Sequence, residues 1–151
     1  MNTAPLTVLL IEDDLNDALL LQRSFYRAKL TSLLRVVTDA EQAMTYLQQV
    51  PNLDGDECNP MPSLILLDLN LPGTSGLQML EWLRQQPGDL KRLPVIILTS
   101  SRETNDIDQA YALGANSYIA KPNGNFDDLA QMVKSFDAVI PDEKRKTQAF
   151  T

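Results

Sequence analysis

The sequence predicts a doubly wound α/β domain, in which an open parallel sheet carries helices on both faces. Short, continuously apolar segments alternate with segments whose apolar residues recur every three or four positions, the pattern of buried strands alternating with amphipathic helices. Continuously apolar strands have no polar side, so both faces of the sheet must be covered. A closed α/β barrel needs about 250 residues, whereas this chain has 151. An open sheet is therefore favoured.

The elements follow in order along the chain. Five apolar segments predict strands at 6–11, 33–37, 64–67, 95–99 and 117–120. The first helix is expected over about 14–29 and the third over about 76–86. The remaining apolar spacing predicts these helix residues: Ala18, Leu21 and Phe25 in the first, Ala40, Ala43, Met44 and Leu47 in the second, Ile107, Ala110, Tyr111 and Gly114 in the fourth, and Leu129, Met132, Val133 and Phe136 in the fifth.

The chain length predicts one domain, spanning 1–140. Two segments fall outside the strand–helix repeat. Residues 51–62 contain three prolines and predict an irregular loop, and 141–151 predict a mobile C-terminal tail in place of an output domain.

Composition excludes several classes of protein. No apolar run approaches the roughly 20 residues of a membrane helix, and the N-terminus lacks the basic region of a signal peptide. A net charge of −7 argues against nucleic-acid binding, which requires a basic face. The single cysteine, Cys58, fits a reducing cytoplasm. The chain has no histidine, which excludes histidine triads and histidine metal sites. Its chemistry must use carboxylates, hydroxyls and amines.

Polar residues gather where the predicted strands end. In open parallel sheets, ligands bind at the carboxyl ends of the strands. The strands deliver these residues to that edge: Glu12 and Asp13 after the first, Asp68 and then Asn70 after the third, Thr99 and Ser100 after the fourth, and Lys121 after the fifth. Three acids, a hydroxyl and a lysine are therefore expected to converge.

Converging acids require a counter-charge. Two carboxylates about 4 Å apart repel by roughly 4 kcal/mol at an effective dielectric constant near 20, so one takes a proton or a cation lies among them. Oxygen ligands alone favour Mg²⁺, with Mn²⁺ as the alternative. A nearby lysine and hydroxyl would complete a binding site for a phosphoryl group. Asp68 is therefore predicted to be phosphorylated.

Four motifs give the chain a resemblance to a known family. "LLIEDD", "LILLDLNLPGTSG", "VIILTSS" and "GANSYIAKP" occur in the order found in the receiver domain of two-component response regulators, and the resemblance covers about 5–140. Ala40 departs from the glycine of many relatives. The loop at 51–62 and the sequence "AYALGANSYIAKP" resemble the corresponding segments of single-domain regulators paired with phytochrome-type histidine kinases. The resemblance implies a flavodoxin-like, five-stranded parallel sheet of order 2-1-3-4-5, with five helices in a three-layer sandwich.

The resemblance also implies a role in a phosphorelay. Asp68 would accept a phosphoryl group from a phosphohistidine on a sensor histidine kinase, and the absence of histidine here agrees with an external donor. Mg²⁺ would be held by Glu12, Asp13, Asp68 and the backbone carbonyl of Asn70. The protein would act as a signalling module and not as an enzyme on other substrates.

The remaining implied residues concern phosphoryl binding and switching. Lys121 and Thr99 would contact phosphoryl oxygens, and the small Ser100 would leave room for the group. Movement of Thr99 would let Tyr118 rotate and reshape the face formed by the fourth helix, fifth strand and fifth helix; a packed aromatic without a switching role is the alternative for Tyr118. The Lys121–Pro122 peptide bond is expected to be cis. The signal would pass to an unknown downstream protein, and a homodimer through the same face is compatible with this picture.

Three other classes fit less well. Phosphatases with an aspartyl-phosphate intermediate place a second acid two residues after the nucleophile, where this chain has Asn70. A nucleotide or flavin binder would need a glycine-bearing first turn, but "IEDDLND" has acids and no glycine. A receiver that binds partners without phosphorylation would not require the complete set of pocket residues.

Overall fold

The computed structural model describes residues 7–30, 33–49, 61–100, 104–122 and 124–139. Within these ranges, strands and α-helices alternate along the chain: β1 (Thr7–Ile11), α1 (Leu15–Arg27), β2 (Leu33–Val37), α2 (Ala40–Gln49), β3 (Leu64–Leu67), α3 (Gly76–Arg84), β4 (Val95–Thr99), α4 (Thr104–Ala112), β5 (Ser117–Ala120) and α5 (Asp127–Val139). A short 3-10 helix, Gly88–Arg92, lies between α3 and β4 and was not predicted.

The strands form one parallel sheet in the order β2-β1-β3-β4-β5. This confirms the predicted doubly wound fold and its strand order. The chain runs outward from β1 to β2, returns to β3 and continues to β5, so the order reverses between β1 and β3. The carboxyl ends of these two central strands therefore lie side by side at the topological switch point, where ligands of such sheets bind.

Alternate residues of the central strands enter two separate cores, because side chains along a strand point to opposite faces. On one side, Leu9, Ile65 and Ile97 pack with α2, α3 and α4 residues. On the other, Leu10 and Leu66 pack with α1 and α5 residues. Fully burying one such aliphatic side chain stabilises a fold by about 1.5–3 kcal/mol. The sheet thus provides a rigid base for whatever lies at its edge.

The helices bury most of the predicted face, with three exceptions. Gly114 is exposed and lies beyond the end of α4 at Ala112. Ala18, Leu21 and Phe25 of α1 are buried, as expected. Tyr111 of α4 and Met132 of α5, however, are 47% and 43% exposed. Each is a sequence neighbour of a fully buried residue and is therefore rotated about 100° from it around the helix axis. Helix α4 also packs near β5, the edge strand, which is itself only partly buried. The apolar spacing overestimated how far the core extends there.

Two predicted segments fall largely or wholly outside the described residues. Of the loop at 51–62, only the last two residues are described, and the tail at 141–151 lies outside entirely, as does the predicted boundary at 140. Among the described helices, none combines the length and the apolar character needed to cross a bilayer.

Candidate functional site

Four strand ends deliver polar side chains to one small volume. Glu12 follows β1, Asp68 follows β3, Thr99 ends β4 and Lys121 follows β5. Glu12, Asp68 and Thr99 are buried despite their polarity, with exposures of 2%, 3% and 0%. Buried charged and polar groups are costly unless they are paired. We call the set Glu12, Asp13, Asp17, Asp68 and Lys121 the acidic pocket.

The ammonium of Lys121 lies at the centre of the acidic pocket. Its Nζ donates to Glu12 Oε1 at 2.6 Å, Asp17 Oδ2 at 2.9 Å and Asp68 Oδ2 at 3.0 Å. Only 12% of the Lys121 side chain is exposed. A lysine ammonium has three N–H donors, and each of these has a carboxylate partner. The lysine therefore connects α1, β1 and β3 to the end of β5.

Burial and charge set the protonation of the pocket. Burial raises the pKa of Glu12 to about 8, with a further contribution from its hydrogen bond to Asp68. Burial also acts to raise the pKa of Asp68, but hydrogen bonds from Glu12, the Asn70 N–H and Lys121 outweigh it and leave that pKa below its usual value. The three carboxylates around Lys121 raise its pKa in spite of burial. Of the two carboxyl groups, Glu12 thus has the higher pKa and Asp68 the lower.

The start of α1 places Asp17 in the pocket. Asp14 is the N-cap of the helix, and its Oδ1 accepts the backbone N–H groups of Asn16 at 2.9 Å and Asp17 at 3.3 Å. This cap is the typical way in which an aspartate satisfies unpaired amides at a helix start. Sequence reasoning missed Asp17. Its available signal was its place in the first turn of α1, shortly after the acidic residues that follow β1.

The segment after β3 fixes the carboxylate of Asp68. The backbone N–H of Asn70 donates to Asp68 Oδ1 at 2.9 Å, and the Asn70 amide Nδ2 donates to Thr99 Oγ1 at 3.1 Å. Helix α3 then begins directly against this segment at Gly76, where a Cβ atom would lie 2.4 Å from the carbonyl oxygen of Asp68 and 2.7 Å from the Cα of Leu69. Only glycine permits so close an approach, so α3 holds the backbone beneath Asp68 in place.

The other predicted residues occupy the edges of the site. Asp13 is exposed, yet one of its carboxylate oxygens lies within 4.8 Å of carboxylate oxygens of Glu12 and Asp68. Ser100 is exposed directly after β4. Tyr118 lies within β5, partly buried, and packs against the core on the α2–α3 side.

The prediction of a cis peptide bond at Lys121–Pro122 is wrong. Both residues are described, and no cis peptide bond occurs among the described residues. The Lys121 N–H donates to the carbonyl of Thr99 at 2.8 Å, which extends the β4–β5 pairing to the lysine itself. The strand pairing and the three carboxylates already aim the side chain into the pocket. The trans bond, favoured by about 0.5–1 kcal/mol before proline, is therefore sufficient.

The acidic pocket fits a divalent metal ion. Glu12, Asp13 and Asp68 each offer a carboxylate oxygen, and these oxygens lie within 4.8 Å of one another. When Glu12 is ionised, its buried Oε2 has no hydrogen-bond donor among the described residues, so one ligand oxygen is left for a cation. A donor set made only of oxygens suits Mg²⁺ or Mn²⁺.

Comparison with known protein families identifies the family of this chain. Residues 8–134 match the family of the response regulator receiver domain. The chain belongs to this family. It is 37% identical over 134 residues to the response regulator Rcp1 of a Synechocystis strain, covering 89% of this chain and 88% of the relative. The predicted family is thereby confirmed.

Solved structures of similar proteins carry the same fold. The Mn²⁺-bound form of Rcp1 has a TM-score of 0.72 and 38% identity, covering 89% of this chain and 94% of that chain. The phosphorylated cyanobacterial phytochrome response regulator RcpA has a TM-score of 0.72 and 36% identity, covering 88% and 91%. The predicted likeness to regulators of phytochrome systems is confirmed, and a divalent ion is the expected cofactor of this pocket.

Proposed function

We propose that this receiver domain accepts a phosphoryl group on Asp68 from a phosphohistidine of a sensor histidine kinase. The observation that carries the proposal is the state of the Asp68 carboxylate. It is buried, with Oδ1 held by the Asn70 N–H and Oδ2 held by Lys121, and these hydrogen bonds help to keep its pKa below the usual value. An oriented anion at the switch point of a parallel sheet is suited to act as a nucleophile.

In the transfer, an oxygen of Asp68 forms a bond to phosphorus. The phosphorus–nitrogen bond to the donor histidine breaks, and its electron pair stays on the histidine nitrogen. Mg²⁺ or Mn²⁺, held by Glu12, Asp13, Asp68 and the Asn70 carbonyl, would supply positive charge opposite the phosphoryl oxygens. The ammonium of Lys121 adds positive charge from the other side.

Thr99 links the pocket to an output surface. In the structure its Oγ1 accepts a hydrogen bond from the Asn70 side chain. We infer that this hydroxyl turns to donate to a phosphoryl oxygen, for which the exposed Ser100 leaves room. The space released beside β4 would then allow Tyr118 to rotate, changing the face formed by α4, β5 and α5.

The two helices of the α4–β5–α5 face carry exposed apolar side chains. Tyr111 of α4 and Met132 of α5 are large apolar side chains that remain 47% and 43% exposed. Aromatic residues and methionine are enriched in protein interfaces. We therefore propose that the phosphorylated form binds a downstream protein or a second copy of itself through this face.

The proposed donor is a histidine kinase of the phytochrome type. The chain contains no histidine, so the phosphohistidine must belong to another protein or domain. Receiver domains accept phosphoryl groups from histidine kinases, and the similar RcpA is a phytochrome response regulator. The exchange would take place in the cytoplasm, where kinases have access to ATP.

Intact-mass measurement with acetyl phosphate and Mg²⁺ tests the acceptor. The native protein should gain one phosphoryl group, Asp68→Asn should gain none, and Asp127→Asn, which changes a surface aspartate, should behave as the native protein. A gain in Asp68→Asn, or none in the native protein, would contradict the proposal. Transfer from a phosphorylated phytochrome-type kinase then tests the donor, and size-exclusion chromatography before and after phosphorylation tests self-association.

A further inference from the structure

The third partner of Lys121 has no place in the proposed transfer. Glu12 and Asp68 are two of the three carboxylates, with Asp13, whose arrangement fits a divalent ion. Asp17 lies outside that group, 27% exposed on the first turn of α1, and its Oδ2 is 2.9 Å from the lysine Nζ. Of the three carboxylates that hold the ammonium, Asp17 is therefore the one left to the lysine when the other two contact a cation or a phosphoryl group.

The chemistry of the lysine makes this remaining contact important. A lysine side chain is a flexible four-carbon chain that ends in a compact, strongly hydrated ammonium. Holding it in one place opposes its rotamer freedom. If Glu12 and Asp68 bind a metal ion, two of the three restraints on the ammonium weaken together. A fixed carboxylate on a capped helix end would keep Nζ beside the phosphoryl position.

We propose that Asp17 is a positioning residue that retains the ammonium of Lys121 in the acidic pocket while Glu12 and Asp68 contact the metal ion and the phosphoryl group. The inference rests on the proposed function for its consequence in phosphoryl transfer. The contact itself is independent of that function.

A second cation site at Asp17 is the competing interpretation. Glu12, Asp14 and Asp17 also offer oxygens within 4.8 Å of one another. However, Asp14 Oδ1 already accepts two backbone N–H groups of α1, and the Lys121 ammonium already contacts both Glu12 and Asp17. The positive charge at this end of the helix is thus supplied by the lysine.

Nuclear magnetic resonance of the lysine ammonium tests the contact without measuring activity. The ¹⁵N signal of Lys121, assigned by its loss in Lys121→Arg, should be visible in the native protein with and without Mg²⁺. In Asp17→Ala it should persist without the ion, since Glu12 and Asp68 remain, and should broaden or vanish at saturating Mg²⁺. Asp127→Ala, which removes an acid from the first turn of α5, is the matched control and should leave the signal unchanged. An unchanged Lys121 signal in Mg²⁺-loaded Asp17→Ala would overturn the proposal.

A double-mutant cycle tests the consequence for phosphoryl transfer. Asp17→Ala should slow phosphorylation by acetyl phosphate about tenfold, because a displaced catalytic group loses its alignment. In a Lys121→Ala background the same change should have no effect, since Asp17 acts through the lysine. An equal slowing in both backgrounds would show a direct effect on the pocket and refute the positioning role. Should Asp17→Ala fold poorly, Asp17→Asn replaces it in both experiments, with a smaller loss expected. A native protein that gains no phosphoryl group refutes the proposed function, while the resonance experiment still decides the role of Asp17.

Discussion

Two cation–carboxylate contacts of similar length differ in their surroundings. Lys121 Nζ lies 3.0 Å from Asp68 Oδ2 in the acidic pocket, with side-chain exposures of 12% and 4%. Arg27 lies 2.7 Å from Asp127 between α1 and α5, with exposures of 49% and 48%. The distance between the atoms therefore does not distinguish the two contacts. Their solvent exposure does.

Exposure changes what each contact contributes. An exposed pair typically stabilises a protein by about 0–1 kcal/mol, because water screens the charges and compensates for their loss. In a buried site, the desolvation of each charge opposes the attraction, and removal of one partner leaves an uncompensated charge. The surface pair is thus a modest tether between α1 and α5. The pocket is a balance of opposing charges that can respond to a new cation or anion.

Forcing α3 away from the backbone beneath Asp68 should have the largest effect on stability. Gly76→Ala would place a Cβ atom 2.4 Å from the carbonyl oxygen of Asp68. We expect a loss of about 3 kcal/mol in the free energy of unfolding, since overpacking of this kind forces backbone movement. Urea denaturation measures it.

The control for this change is Gly88→Ala. Gly88 has a φ of +71°, but a Cβ atom added there would meet nothing within 4 Å, so only backbone strain of about 1 kcal/mol is expected. Equal losses in the two variants would show that the approach of α3 to Asp68 is not what holds the pocket.

Removing the cation from each contact should give the next largest difference. In metal-free protein near pH 8, Lys121→Ala should lower the free energy of unfolding by about 2 kcal/mol, since buried carboxylates lose their counter-charge. Arg27→Ala should cost less than about 1 kcal/mol. Mg²⁺ should restore much of the first loss and none of the second. Urea denaturation with EDTA and with Mg²⁺ measures both, and equal losses would remove the distinction between buried and exposed contacts.

The fold was accessible from the sequence where the physical pattern is simple. Strands β2, β3, β4 and β5 have the predicted bounds, because the ends of an apolar run mark where a strand begins and ends. The 3-10 helix at Gly88–Arg92 is too short to show a periodic spacing of apolar residues, and no sequence pattern predicted it. Tyr111 shows the opposite failure, because spacing alone does not reveal how far neighbouring elements cover a helix.

The candidate site was accessible for a similar reason. Glu12, Asp68 and Lys121 each directly follow an apolar strand, so parallel topology alone brings them together. Asp17 is on a helix, where an acid near the N-terminus is expected to be a solvated residue that interacts with the helix dipole. Its contact with Lys121 depends on how α1 is placed against β5, which is a tertiary feature.

The raised pKa of Glu12 predicts a pH dependence of stability opposite in sign to that of the surface pair, where Arg27 lowers the pKa of Asp127. Burial raises the pKa of Glu12 in the folded, metal-free protein from 4.5 to about 8. Between these values the folded state holds a proton that the unfolded chain has lost, so the free energy of unfolding should fall as the pH rises through this window. A metal ion requires the ionised carboxylate, so the affinity for Mg²⁺ should rise with pH and level off above about pH 8.

Isothermal titration calorimetry checks this prediction. Repeating the Mg²⁺ titration at pH 7 in buffers of different ionisation enthalpy should reveal the release of about one proton per ion bound. Glu12→Gln should abolish the release, whereas Asp127→Asn should not alter it. Binding of Mg²⁺ without proton release in the native protein would contradict a protonated Glu12.

The smallest expected effect concerns salt at the surface pair. Asp127→Asn should have a small cost at low salt, and the cost should disappear near 1 M NaCl, where the screening length is about 3 Å. Arg27→Ala should keep part of its cost, because Arg27 also donates to Ser24 Oγ at 3.1 Å, and that buried hydroxyl accepts the Phe126 N–H. Urea denaturation across a salt series separates the two, and a cost of Asp127→Asn that persists at 1 M NaCl would mean that this contact is shielded from solvent as the pocket is.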